Sequence, residues 1–167
     1  MMWTRVICAT VALSLAMTAG AQSMFRPSEG DFSVAFPRAP VVGGELAATQ
    51  FDAGHRSYTD EEPGFRFVVV VDQYPAGIPT PKPTPATYLL LLKSHAKEQQ
   101  LTLVSTHAAS LGGRQSLEGL FVNPEGRRQV LRVLMVGPRI YHVECDEAGQ
   151  GGDDATAEAF LDSFRLG

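Results

Sequence analysis

Cysteine and lysine are scarce in this chain, and its apolar runs are short. Of the two cysteines, Cys8 lies inside an N-terminal apolar segment, which leaves Cys145 without an intramolecular partner once that segment is removed. Lysine occurs only at 82, 93 and 97, and the densest basic spot is the pair Arg127-Arg128, read as a strand-edge pair beside a turn. Binding to phosphate backbones needs clustered Lys and Arg, so neither nucleic acid nor anionic lipid is expected as a partner. The early run from Val6 to Met17 has 12 residues, short of the roughly 20 that cross a bilayer as a helix. With 44% hydrophobic and 19% charged residues, the composition excludes a disordered tail, a collagen-like fibre and a multi-span membrane protein.

What is present at the start is a three-part export signal: Arg5, the apolar run, then Ala19-Gly20-Ala21, which fits the small-residue cleavage rule. Cleavage after Ala21 makes 1–21 a signal peptide and 22–167 one domain of 167 − 21 = 146 residues, free in solution in the periplasm or outside the cell. Cys8 sits within the apolar run rather than after the small residues, so no lipid anchor is indicated. Without Arg5 the 14 cationic side chains become 13 against 18 carboxylates, 13 − 18 = −5.

Alternation of large apolar and small or polar residues predicts strands near 24–27, 32–37, 41–50, 54–59, 102–108, 115–121 and 139–145. Two further segments, 65–71 and 130–136, are apolar at nearly every position and so need cover on both faces. Thr84 followed by Pro85 is a helix start, with Tyr88, Leu89, Leu92 and Ala96 as its apolar stripe to about Gln99. A second helix begins at Asp153 or Asp154, with Ala157, Phe160, Leu161 and Phe164 at i, i+3, i+4, i+7. Gly112-Gly113, Pro124-Glu125-Gly126 and Gly137-Pro138 are turns short enough to make the late strands antiparallel neighbours. The expected fold is α+β: a single antiparallel β-sheet with one helix packed on each face, an α/β/α sandwich.

Three segments, Gly30-Asp31-Phe32-Ser33-Val34-Ala35-Phe36-Pro37, Arg139-Ile140-Tyr141 and Ala159-Phe160-Leu161-Asp162-Ser163-Phe164, resemble a PsbP-like exported domain over residues 24–166. That group is named after the lumenal extrinsic protein of photosystem II. The resemblance implies a sheet between helices, a fold shared with a Ran-binding nuclear-import factor. It carries no residue-by-residue match to a manganese, calcium or photosystem-binding motif, and the photosynthetic role is not carried over.

The chemical candidates are few. His142 and Glu144 share one face of a strand, with Asp146 continuing the row. They are the metal-ligand candidates, although three or four converging donors are required and His55, His95 and His107 are scattered in sequence. Cys145 falls on the apolar face beside Glu144, Asp146 and Glu147, the setting of a buried, inert thiol. Asp146, Glu147, Asp153 and Asp154 lack the ligand spacing of an EF-hand. The serines sit in no nucleophile elbow, and Leu111-Gly112-Gly113-Arg114 lacks the rest of a phosphate loop. Pro79-Thr80-Pro81-Lys82-Pro83 reads as a stiff entry to the first helix. No catalytic residue and no cofactor are assigned. The leading reading is an exported non-enzymatic module that binds a protein or small molecule. Its competitor is a metal-binding protein or metal-assisted hydrolase using His142 and Glu144.

Overall fold

In a computed structural model, residues 23–46, 53–147 and 154–167 are described. The proposed signal at 1–21, the later part of the 41–50 strand and Asp153 lie outside them. The strands are β1 (Ser23–Phe25), β2 (Phe32–Phe36), β3 (Val41–Glu45), β4 (Gly54–Glu62), β5 (Phe65–Gln73), β6 (Thr102–Leu111), β7 (Arg114–Val122), β8 (Arg128–Val136), β9 (Arg139–Glu147) and β10 (Arg165–Leu166). The helices are α1 (Pro85–Glu98), between β5 and β6, and α2 (Asp154–Ser163), between β9 and β10.

The expectation of a single sheet with one helix on each face is overturned. The described strands form two sheets, one of three strands in the order β1-β2-β10 and one of seven antiparallel strands in the order β3-β4-β5-β9-β8-β7-β6. The reason is coverage. Seven strands at about 4.8 Å spacing make a sheet nearly 30 Å wide, and a helix of 10 residues is about 15 Å long and about 10 Å across. The small sheet supplies the missing cover. All five residues of β2 are buried, and Phe32, Val34 and Phe36 share a core with Val69 and Val143 of the large sheet and with Phe160 and Leu161 of α2.

The second core lies on the other face, where Tyr88, Leu92 and Ala96 of α1 meet Phe121, Leu131, Val133 and Met135. Strand β8 serves both: Leu131, Val133 and Met135 point to α1, while Leu134 belongs to the core under α2. This is why residues 130–136 of β8 are apolar at every position but Arg132. The start of α1 follows its sequence, since the Thr84 hydroxyl accepts a hydrogen bond from the Thr87 amide at 3.2 Å with Pro85 in the first turn. The β6–β7 turn uses Gly112 and Gly113 at φ of +58° and +78°, a conformation that favours glycine at both positions. Helix α1 packs on β6, β7 and β8. It leaves β4, β5 and much of β9 beside it without a helical cover, and that half-covered face holds the site.

Candidate functional site

A cleft of about 920 Å³ opens between α1, the turn before β8 and the faces of β4, β5 and β9. Strand register places its floor. Across β5 and β9, Arg66 faces Asp146, Val68 faces Glu144 and Val70 faces His142, so alternate residues of both strands point into the cleft. From β4 come His55 and Ser57, and from α1 come Ser94 and His95.

The sequence-predicted pair does share this face, but the two side chains engage different neighbours. The His142 Nε2 atom lies 3.7 Å from Asp72, whose other oxygen is 2.7 Å from His55. Glu144 instead ends 3.8 Å from His95, and His95 is hydrogen-bonded at 2.8 Å to Gln129. Three of the four histidines thus converge on one cleft, which sequence spacing did not show. His107 lies elsewhere, paired with Glu118 at 2.6 Å. Asp72, Arg66 and Gln129 were missed as site residues. The signal for Arg66 and Asp72 is the matching alternation of β5 and β9, and that for Gln129, on β8, is its place opposite Asp146, both readable only once the strands are known to pair.

Burial dominates the electrostatics. It pushes the Glu144 carboxyl up to about 8, with the Asp146 charge adding to the effect and Arg66 opposing it. Asp146 is raised too, by burial, with the neighbouring Gln129 amide and the charge of Arg66 opposing. His142 is pushed down to about 4, again by burial, with Asp72 opposing and His95 and His55 adding. At neutral pH the floor therefore presents a protonated Glu144 and an uncharged His142. Two buried atoms there, His142 Nε2 and Asp146 Oδ1, have no hydrogen-bond partner among the described residues.

Among the described residues no group of three or more His, Cys, Asp or Glu is placed to hold a metal ion, and no serine or threonine of the cleft is hydrogen-bonded to a histidine. Cys145 lies on the opposite face in the α2 core, its thiol pushed up to about 12 by burial and the neighbouring acids. Arg128, at the cleft rim, is tied to Asp154 at 2.8 Å and to Glu147 at 3.5 Å. Among the described residues no helix is long and apolar enough to cross a membrane.

No protein-family model and no curated protein matches the chain. Among solved structures it is similar to the solution structure of cyanobacterial PsbP (CyanoP) from Synechocystis sp. PCC 6803. The identity is 14%, the match covers 97% of this chain and 98% of that one, and the TM-score is 0.61. The fold is PsbP-like, as the resemblance implied, and at this identity the likeness concerns the fold alone.

Proposed function

We propose that the protein is an exported, non-enzymatic binding module and that its partner docks a polar group in the cleft over β4, β5 and β9. The observation that carries this reading is the pair of buried, unpartnered atoms on the floor, His142 Nε2 and Asp146 Oδ1. Each costs about 1–3 kcal/mol while unpaired, and a docked polar group that supplies hydrogen bonds removes that cost. The exposed rim residue Ser94 on α1 allows a test that leaves the core alone. Affinity capture from native envelope extract with the wild type and with Ser94→Trp should recover a partner that the variant loses while unfolding at the same urea midpoint. Identical recovery by both proteins removes the cleft from the reading. Export itself is checked by mass spectrometry of the mature chain, which should begin at Gln22.

A second reading, a metal-binding protein or metal-assisted hydrolase using His142 and Glu144, is favoured by the free Nε2 of His142, a donor type suited to zinc. Metal analysis after chelator-free purification separates the two. Stoichiometric zinc or calcium that is lost when both residues become Ala would replace the binding-module reading.

A further inference from the structure

A second opening, distinct from the cleft, lies where the large sheet splits. The pairing of β7 with β8 stops at Leu117↔Val133. The outer pairings run on, β6 with β7 to Leu111↔Arg114 and β8 with β9 to Val136↔Arg139. Strands β7 and β8 therefore part over residues 114–116 and 134–136. In the register that ends there, Gln115 and Met135 would stand opposite each other. The Tyr88 hydroxyl occupies that place instead, donating to the Gln115 carbonyl and accepting from the Met135 amide, both at 3.4 Å. These bonds are longer than an ordinary hydroxyl hydrogen bond, so the hydroxyl is a weak substitute for the missing rung.

The split opens into a pocket of about 490 Å³, within the size range of small-molecule sites. Pro83, Pro85, Leu117 and Met135 give it apolar walls on the α1 side. Arg114 and Ser116 also line it, and by strand alternation they belong to the opposite face from Leu117. Ser116 is 6% exposed, and its hydroxyl has no hydrogen-bond partner among the described residues. Arg114 has no acidic partner among them, and no Asp or Glu lines the pocket. One end is thus apolar, and the other holds an unneutralised guanidinium and a buried, unsatisfied hydroxyl.

We propose that this opening binds an amphipathic carboxylate, a single aliphatic chain whose apolar part lies between Pro83, Pro85 and Met135 and whose carboxylate meets Arg114 and Ser116. A carboxylate accepts from both groups at once, and a neutral head group of the same length leaves the guanidinium without its counter-charge.

Calorimetric titration of the purified protein with decanoate, and separately with decanol, tests the assignment. Saturable one-to-one binding of decanoate is expected, weakened about tenfold or more in Arg114→Gln, which removes one charge-assisted hydrogen bond. The exposed Ala108 lines the mouth from the edge strand β6, so Ala108→Trp should abolish binding while the far-ultraviolet circular dichroism stays unchanged. Absence of saturable binding overturns the proposal, as does binding that Ala108→Trp leaves intact. Equal affinity for decanol, or an Arg114→Gln variant as tight as the wild type, overturns the carboxylate assignment.

Discussion

Asp31, in the turn before β2, accepts a hydrogen bond from the Tyr141 hydroxyl on the central strand β9 at 3.3 Å, and another from the guanidinium of Arg139. The backbone carbonyl of Asp31 also receives the Gly167 amide at 2.9 Å. One residue thus joins the small sheet, the large sheet and the end of the chain. Beside it Phe32 stacks on Phe164 with ring centroids 5.4 Å apart, and Tyr141 meets Phe164 edge-on at 5.6 Å. The three short segments that resemble the PsbP-like pattern meet at this junction. Asp31→Ala should lower the unfolding free energy by about 2 kcal/mol and Tyr141→Phe by about 1 kcal/mol. A double-mutant cycle in urea should find the two coupled, and strict additivity would show that the junction is incidental.

The acid on the cleft floor fixes the sign of a pH effect. Glu144 has a folded value near 8 against an ordinary 4.5, so the folded protein holds more protons than the unfolded chain between those limits and loses stability as pH rises through them. Asp146 is shifted in the same direction. His142, at about 4 against 6.5, works oppositely, and the stability it withholds at low pH returns as pH rises to 6.5. Above 6.5 only the carboxyl contribution is left. The urea midpoint should fall from pH 6.5 to pH 8 in the wild type and fall less in Glu144→Gln, where Asp146 alone of the two carboxyls is left. A fall of equal size in both proteins would mean that Glu144 is already ionised at neutral pH.

Cys145 is 2% exposed, and burial with the neighbouring acids pushes its thiol up to about 12. The thiolate is the reactive form, so at pH 8 the native protein should react with a disulfide reagent far more slowly than the protein in 8 M urea. Similar rates under the two conditions would contradict an inert thiol.

Gly119 on β7 has no space for a side chain. A Cβ there would stand 2.8 Å and 2.9 Å from ring atoms of Phe121, which is fully buried beneath α1. Gly119→Ala should therefore cost about 1–3 kcal/mol through overpacking. Because the Phe121 ring lies 5.3 Å from that of His95, the same change should shift the His95 imidazole resonances, and unshifted resonances would uncouple this core from the cleft.

Local rules worked where the deciding contacts are local. Thr84 and Pro85 announce α1 because the capping bond is made three residues away. The glycine turns fix the antiparallel neighbours from β6 to β9. Strand alternation correctly placed His142 and Glu144 on one face and Cys145 on the other. Alternation, however, does not say which sheet a strand joins. The pattern of 32–36 is equally that of an edge strand of the main sheet, and its place in a second sheet depends on how much surface α2 leaves bare. Likewise β5 was expected to be screened on both sides by helices, yet Val68 and Val70 face the cleft because α1 sits over β6, β7 and β8 instead.

Period and turn chemistry, which act over a few residues, settled in the sequence where the two helices and most strands lie and which side chains share a face. Folding in three dimensions settled the split into two sheets, the meeting of His55, His95 and His142, and the parting of β7 from β8 at Tyr88. These depend on contacts between residues far apart in the chain and on how much sheet surface each covering element can reach.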